Sequence, residues 1–362
     1  MLFFVFPTLV LAPLCQTFWC TRDGNDFRWL MKLKDKRVFI TGIGGFIGSN
    51  LCKRALQEGA EVLGIELNPF QAKEILAEGA EVMIGDFTNE DALTQGLSQN
   101  IDLVFHTAAV VEEGGDLERF REINVRGTEK VASIAAKNNV KGFVHFSSVM
   151  VYGFHYPDMA DETSPLRGEN NPYCQTKIES EEVLQQVSRN ENLPTLIIRP
   201  GDVYGIGSKP WVIRPLQMMR DRLFFLPDGG EGIMNHVYID NLIDAVFLAI
   251  EKDKWGEVYN VTDLKATTFK EYFSWLAHIA DLPEPATLPS PILKAMIFAL
   301  EKGARLFGQK PIATVDAIHF LERKYPYSAQ KAVKELGYSP KINLETGMGR
   351  IRNAIKQGLL RF

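Results

Sequence analysis

The chain has 362 residues, and 40 Lys+Arg against 45 Asp+Glu give a formal net charge of −5. A content of 46% hydrophobic and 23% charged residues excludes disorder as the general state, and the mild, dispersed acidity excludes a polybasic nucleic-acid binder and gives no global pull toward anionic membrane. The four cysteines, Cys15, Cys20, Cys52 and Cys174, are too few for a disulfide scaffold and lack the paired short spacings of a zinc site.

In chain order, residues 1–20 (MLFFVFPTLVLAPLCQTFWC) come first and are almost wholly apolar. They lack the basic lead of a signal peptide, and Pro7, Pro13, Gln16 and Thr17 weaken a membrane span. Met31 opens MKLKDKRVFITG, which reads as an ordinary start. Residues 1–30 are therefore read as an extension, either a misassigned start or a membrane tether. From Arg37, short β-branched runs alternate with helical stretches. The runs are Val38–Thr41, Val62–Glu66, Val82–Ile84, Leu103–His106, Phe143–Phe146 and Leu196–Arg199, with helices predicted over Ser49–Glu58 and Thr128–Asn138. Such a pattern predicts an α/β fold, a Rossmann-type doubly wound parallel sheet covered on both faces. A last strand is predicted at Val258–Val261. After Gly205 the pattern loosens into Pro-bearing loops and amphipathic helices near Thr268–Ile279 and Pro291–Leu306, a smaller C-terminal substrate cap. The expected division is 31–204 with 234–262 for the nucleotide domain, and 205–233 with 263–362 for the cap.

The first strand runs into Thr41-Gly42-Ile43-Gly44-Gly45-Phe46-Ile47-Gly48 and then a helix. Glycines here let backbone N–H groups and a helix N-terminus approach a pyrophosphate. Glu66 ends the second strand, where a carboxylate accepts hydrogen bonds from a ribose. It would repel a 2′-phosphate, and Leu67 and Asn68 supply no arginine for one, so NAD is expected rather than NADP. Asp86, followed by Phe87, closes the third strand and reads equally as a helix cap or an adenine acceptor. Thr107, Ala108 and Ala109 offer small side chains where a cofactor passes. Ser147 and Ser148 end the fifth strand. Tyr173 and Lys177, four apart after Pro172, share one helix face, where an ammonium could lower the phenol pKa and make Tyr173 a general acid/base. Ser148 would then align a substrate oxygen. His106, His145, His236 and His319 are scattered and imply no metal.

These pieces, in this order, resemble the extended short-chain dehydrogenase/reductase superfamily of the NAD-dependent epimerase/dehydratase type. The matches are TGIGGFIG, GDF (85–87), DLVFHTAA (102–109), NVRGT (124–128), FSSVMVYG (146–153), YCQTK (173–177) and RPGDVYG (199–205). The resemblance implies that Tyr173 is the acid/base and that Ser148 holds the substrate oxygen. It gives Lys177 the tyrosine and a cofactor ribose, favours adenine for Asp86, and adds Phe46, Ile47, Phe87, Asn124 and Pro200 to the cofactor-side residues. For Asn124 a structural or water-organising role is expected. Sugar-nucleotide dehydratases carry Asp-Glu where this chain has Val149 and Met150, so dehydration is disfavoured. Met234 stands where a diphosphate-binding arginine would be expected, with Arg220 or Arg222 as substitutes. NHVYIDNLIDA looks instead like the 3β-hydroxysteroid dehydrogenase branch.

The expected activity is therefore NAD-dependent interconversion of a secondary alcohol and a ketone on a hydrophobic, sterol- or 3-oxo-lipid-like small molecule. The alternatives are a sugar-nucleotide epimerase and a non-catalytic NAD-binding scaffold. The stripe Ile292, Met296, Ile297, Phe298, Leu300, Leu306 and Phe307 reads first as packing within the cap, and second as a surface for a hydrophobic substrate or membrane. A homodimer is expected by family analogy, and a cytoplasmic location, membrane-associated if residues 1–20 act as a tether.

Overall fold

The computed structural model describes residues 33–112, 115–306 and 314–362; the apolar extension and Phe307 lie outside them. Seven parallel strands form the central sheet: β1 (Arg37–Thr41), β2 (Glu61–Glu66), β3 (Glu81–Ile84), β4 (Leu103–His106), β5 (Gly142–Phe146), β6 (Thr195–Pro200) and β7 (Val258–Val261). Their order is β7-β6-β5-β4-β1-β2-β3. It reverses between β1 and β4, and such a switch point opens a crevice at the carboxyl ends of the strands. This is a Rossmann-like α/β fold.

Alternation along β1 shows why both faces are covered. Val38 and Ile40 point into one apolar layer with Leu51, Cys52 and Ala55 of α1 (Phe46–Gln57) and Leu242 and Val246 of the helix Ile239–Glu251. Phe39, between them, points into the opposite layer with Leu93, Val131 and Leu184. Those residues belong to α2 (Glu90–Leu97), α3 (Gly127–Lys137) and α4 (Pro172–Glu191). Each strand residue is thus committed to one face by the two-residue side-chain period. Val258–Val261 pairs with β6 in parallel, Val258 opposite Ile197.

Beyond β7 come α5 (Phe269–Ile279), α6 (Ser290–Leu306), α7 (Val315–Leu321) and α8 (Leu344–Lys356). α5 packs on the core with Phe269, Tyr272, Phe273 and Leu276 buried, whereas α6 buries little beyond Ser290 and Leu293. Among the described residues no helix is long and apolar enough to cross a membrane.

Candidate active site

The nucleotide end of the site is built by the turn after β1. Gly42 has φ +65°, a left-handed conformation that side chains rarely adopt, and the Gly42 and Ile43 N–H groups donate to the Ile65 carbonyl at 2.9 and 3.4 Å. A Cβ at Gly48 would fall 2.3 Å from the Gly42 carbonyl oxygen, so only glycine lets α1 start this close to the strand. Gly45 caps α1 without a side-chain hydrogen bond, and the first turn holds no acid. The N–H groups of that turn, including Phe46 and Ile47, have no intrahelical partner. A bare helix N-terminus behind a glycine cradle fits the pyrophosphate of a dinucleotide.

Glu66 is buried beside this turn. One carboxylate oxygen accepts from the Gly44 N–H and the other from the Asn68 N–H, both at 2.9 Å. The acid thus ties the glycine turn to the end of β2. Asp86 is exposed, and its Oδ1 accepts from the Thr88 N–H and hydroxyl at 2.8 Å in an Asx turn, while Asn89 caps the helix that follows. Phe87 stands edge-on to His106 and fills the space opposite Gly127. Thr107 donates to the Thr41 carbonyl at 2.7 Å and Ala108 N–H to the Thr41 hydroxyl, so the residues 107–109 pass directly beside the glycine turn. Pro200 closes β6 opposite Val261.

Asn124 lies in a π-helical turn, Arg121–Arg126, leading into α3. Its amide accepts from the Val110 N–H (2.7 Å) and donates to the Val110 carbonyl and the Thr176 hydroxyl (both 3.2 Å). It fastens the chain leaving β4 to the helix that carries Tyr173. A π-turn frequently marks such a site, because one extra residue re-aims a side chain.

The chemical end lies where β5 and α4 meet. Asn171 caps α4 by accepting from the Tyr173 and Cys174 N–H groups at 3.1 Å, with Pro172 at the first helical position. This fixes Tyr173 on the first turn, where the Ser148 hydroxyl acts to lower its phenol pKa. The Ser148 hydroxyl also accepts from the Met150 N–H at 3.1 Å. Lys177, one turn on and buried, donates to the Phe146 carbonyl at 2.7 Å. Burial pushes the Tyr173 phenol up to about 12 against Ser148, and pushes Lys177 down to about 8 against the pull of Glu181. The expected lowering of the phenol by lysine is therefore not the balance found here. Desolvation of the ring dominates, with Ser148 the group that opposes it, and the Lys177 ammonium is turned to the strand carbonyl.

Behind Lys177, His106 and His145 stack across β4 and β5 with centroids 5.5 Å apart. His106 bonds Thr41 (2.8 Å) and Thr128 (2.9 Å), and His145 bonds Ser180 (3.1 Å). Burial first, then Lys177, lowers both, His106 to about 3. His236 is likewise buried, between Asp263 (2.8 Å) and Thr267 (3.0 Å). Among the described residues no three His, Cys, Asp or Glu are grouped to hold a metal.

Two buried ion pairs lie around the site, and the sequence gives no sign of their pairing. Arg199 makes a two-pronged contact to Glu181 at 2.9 and 2.6 Å and donates to the Tyr152 hydroxyl at 2.8 Å, tying β6 to α4. Arg323, fully buried, donates to Asp202 at 2.7 Å and faces the Met150 sulfur at 3.6 Å. Arg199 and Asp202 sit inside RPGDVYG and were visible as a motif, but Arg323 is 121 residues from its partner with no local pattern to flag it. Met234 is buried and pairs with Thr267. Arg220 is held by Asp221 and the Phe362 carbonyl. Arg222 is exposed at a left-handed turn.

A switch-point crevice, a glycine cradle on a bare helix end, and a serine, tyrosine and lysine at its chemical end define a dinucleotide-dependent enzyme of the Rossmann class. The chain belongs to the NAD dependent epimerase/dehydratase family, whose sequence profile matches residues 38–262. It is accordingly an NAD-dependent enzyme of the extended short-chain dehydrogenase/reductase superfamily. It is 26% identical over 328 residues to a 4-hydroxy-2-methyl-3-oxo-4-farnesyl-3,4-dihydroquinoline-1-oxide ketoreductase of Stigmatella aurantiaca, covering 88% of this chain and 96% of that one. It is also 26% identical over 309 residues to 3beta-hydroxysteroid-dehydrogenase/decarboxylase isoform 1 of Arabidopsis thaliana, covering 79% and 70%. In fold it is similar to a UDP-glucose 4-epimerase of Thermotoga maritima, with a TM-score of 0.73, 24% identity, and 89% and 99% coverage.

Proposed function

We propose that this protein reduces a ketone on a hydrophobic, sterol- or 3-oxo-lipid-like substrate, and reversibly oxidises the corresponding secondary alcohol. Gly42, Gly44, Gly45, Phe46, Ile47 and Gly48 hold the pyrophosphate, Glu66 the adenosine ribose, Asp86 and Phe87 the adenine end, and Thr107–Ala109, Asn124, Lys177 and Pro200 the remainder. Bound NAD supplies the hydride donor and acceptor. Tyr173 gives its proton to the ketone oxygen during reduction and recovers one from the hydroxyl during oxidation. A phenol held up to about 12 rests in its acid form at neutral pH, which suits donation. Ser148 aligns the oxygen, and the Lys177 ammonium stabilises the tyrosinate that donation leaves.

The observation that carries the substrate class is Met150. It is buried two residues after Ser148, where a dehydratase would need an acid, and its sulfur faces a guanidinium already held by Asp202. Met234, buried, leaves no cation where a sugar-nucleotide diphosphate would be gripped. The two relatives named above, a ketoreductase acting on a farnesylated ring and a hydroxysteroid dehydrogenase, support the same class. The reading includes a nucleotide domain of 31–204 with 234–262 and a cap of 205–233 with 263–362. It also places the enzyme in the cytoplasm as a homodimer across α3 and α4, membrane-associated only if residues 1–20 act as a tether rather than arise from a misassigned start. Its test is NADH oxidation with a panel of ketosteroids, 3-oxo lipids and UDP-sugars. We expect turnover of a hydrophobic ketone, with kcat/KM falling about 10³-fold in Tyr173→Phe while NAD binding persists. Isomerised UDP-sugar without net change in NADH would replace this reading by an epimerase.

A further inference from the structure

Lys177 and Ser148 belong to different elements, and one buried residue reaches both from behind. Arg199, on β6, is 4% exposed, and all three of its guanidinium nitrogens are engaged. Nε and one terminal nitrogen fork onto the Glu181 carboxylate, and the other donates to the Tyr152 hydroxyl. Glu181 stands one turn after Lys177 on the same face of α4. Tyr152 ends the tight turn Val149–Tyr152, which the Ser148 side chain caps at its start. The Arg199 guanidinium lies 5.2 Å over the Tyr152 ring, and the Tyr152 hydroxyl donates in turn to Asn260 on β7 at 2.8 Å. Asn260 is held as well, its N–H by Glu162 and its side-chain amide by the Ser328 carbonyl. No member of this chain of bonds can turn aside without leaving a buried polar group unpaired. The charges around Lys177 follow the same plan. From β4 and β5 it faces His106 and His145, both held neutral by burial, and on its own helix the neutral Tyr173 phenol. Glu181 is the anion among these neighbours and raises the Lys177 pKa against burial. Arg199 sets a positive charge directly against that anion, so the pair presents Lys177 with little net charge.

We propose that Arg199 is a positioning residue for the reaction, holding Lys177 through Glu181 and the Ser148 turn through Tyr152 while balancing the charge beside the ammonium. This role rests on the catalytic reading of Lys177 and Ser148 given above. A lysine at 199 could supply the charge but not the fork. Only a guanidinium meets a carboxylate with two parallel bonds and keeps a third nitrogen for the tyrosine.

The test is a carbon-13 NMR titration of the full chain labelled at lysine Cε, with the Lys177 signal assigned by its loss in Lys177→Met. In the parent that signal should titrate near pH 8. Glu181→Gln removes the anion and leaves the guanidinium, so the midpoint should fall by about one pH unit. Arg199→Gln leaves the anion unbalanced, so the midpoint should rise by about the same amount. Breaking one ion pair from its two sides thus moves one titration in opposite directions, which a purely structural bond would not do. Tyr152→Phe keeps both charges and tests the geometric part. Its midpoint should stay, while kcat with the ketone turned over falls about tenfold at unchanged KM. Midpoints that move together, or not at all, would overturn the proposal, as would full kcat in Tyr152→Phe. Where Arg199→Gln does not fold, Arg199→Lys takes its place. There the midpoint should hold and kcat drop about tenfold, and full kcat would again overturn the role. The titration needs neither cofactor nor substrate. Absence of any ketone turnover would therefore count against the catalytic reading, while the midpoints would still decide the coupling of Arg199 to Lys177.

Discussion

Lys177 shows how one residue is held at a cost to stability for the sake of the site. Its ammonium is buried among neutral groups, with the Phe146 carbonyl as hydrogen-bond partner and Glu181 the opposing charge one turn on. Holding its pKa at about 8 instead of the ordinary 10.5 disfavours folding by about 3 kcal/mol below pH 8. The sign follows from proton counting. Between pH 8 and 10.5 the unfolded chain binds the proton and the folded chain does not, so this penalty fades as pH rises. Lys177→Met removes the penalty but leaves the Phe146 carbonyl unpaired, which costs about 1–3 kcal/mol. In urea unfolding, the stability of the variant relative to the parent should therefore fall by about 3 kcal/mol between pH 8 and 10.5. Turnover should be lost throughout, and a pH-independent difference would show that the ammonium is not a folded-state burden. The i,i+4 spacing of Tyr173 and Lys177 was legible in the sequence, but the direction of the phenol shift was not. It depends on how much of the ring leaves water, which no spacing reports.

At the scale of elements, the strand–turn–helix opening was the most legible part. β1, β2, β4 and β7 lie within a residue or so of the apolar runs that predict them, because each strand is buried on both faces and its sequence shows it. The π-turn at Arg121–Arg126 was not legible, since its cause is the pairing of Asn124 with Val110 and Thr176, far apart in sequence. Nor was the outward face of α6, because an apolar stripe looks the same whether it is covered or bare. Glu66 links two elements and gives the next prediction. In Glu66→Ala the Gly44 N–H loses its acceptor and the negative charge that would repel a 2′-phosphate disappears. NAD affinity should fall by about 10-fold, about 1.4 kcal/mol, while NADPH use rises relative to NADH in steady-state kinetics. An unchanged NADH/NADPH ratio would remove Glu66 from cofactor choice.

Across the whole molecule, the short strand Asp202–Tyr204 that follows β6 and the C-terminal region are joined by the Arg323–Asp202 pair, which also stands behind Met150. Asp202 accepts a second bond from the Asn235 N–H at 2.9 Å, and burial nonetheless raises its pKa against the arginine. Arg323→Met leaves that carboxylate buried and unpaired, so a loss of about 3–5 kcal/mol is expected in denaturant unfolding. Adding Asp202→Asn should recover part of it. No recovery in the double variant would mean that Arg323 acts through its packing on Phe269 instead. This pair also shapes the substrate reading, because it removes a cation that would otherwise be available to an anionic ligand beside Ser148 and Tyr173.

The central claim is that Tyr173 protonates a ketone oxygen on a hydrophobic substrate as hydride arrives from NADH. Its most direct test is mass spectrometry of products formed from 3-oxo lipids and ketosteroids with NADH carrying deuterium at the transferable position. One deuterium at the carbinol carbon and one NAD formed per alcohol are expected, with both lost in Tyr173→Phe. Conversion of UDP-sugars with no deuterium incorporated, and no reduction of any hydrophobic ketone, would contradict it.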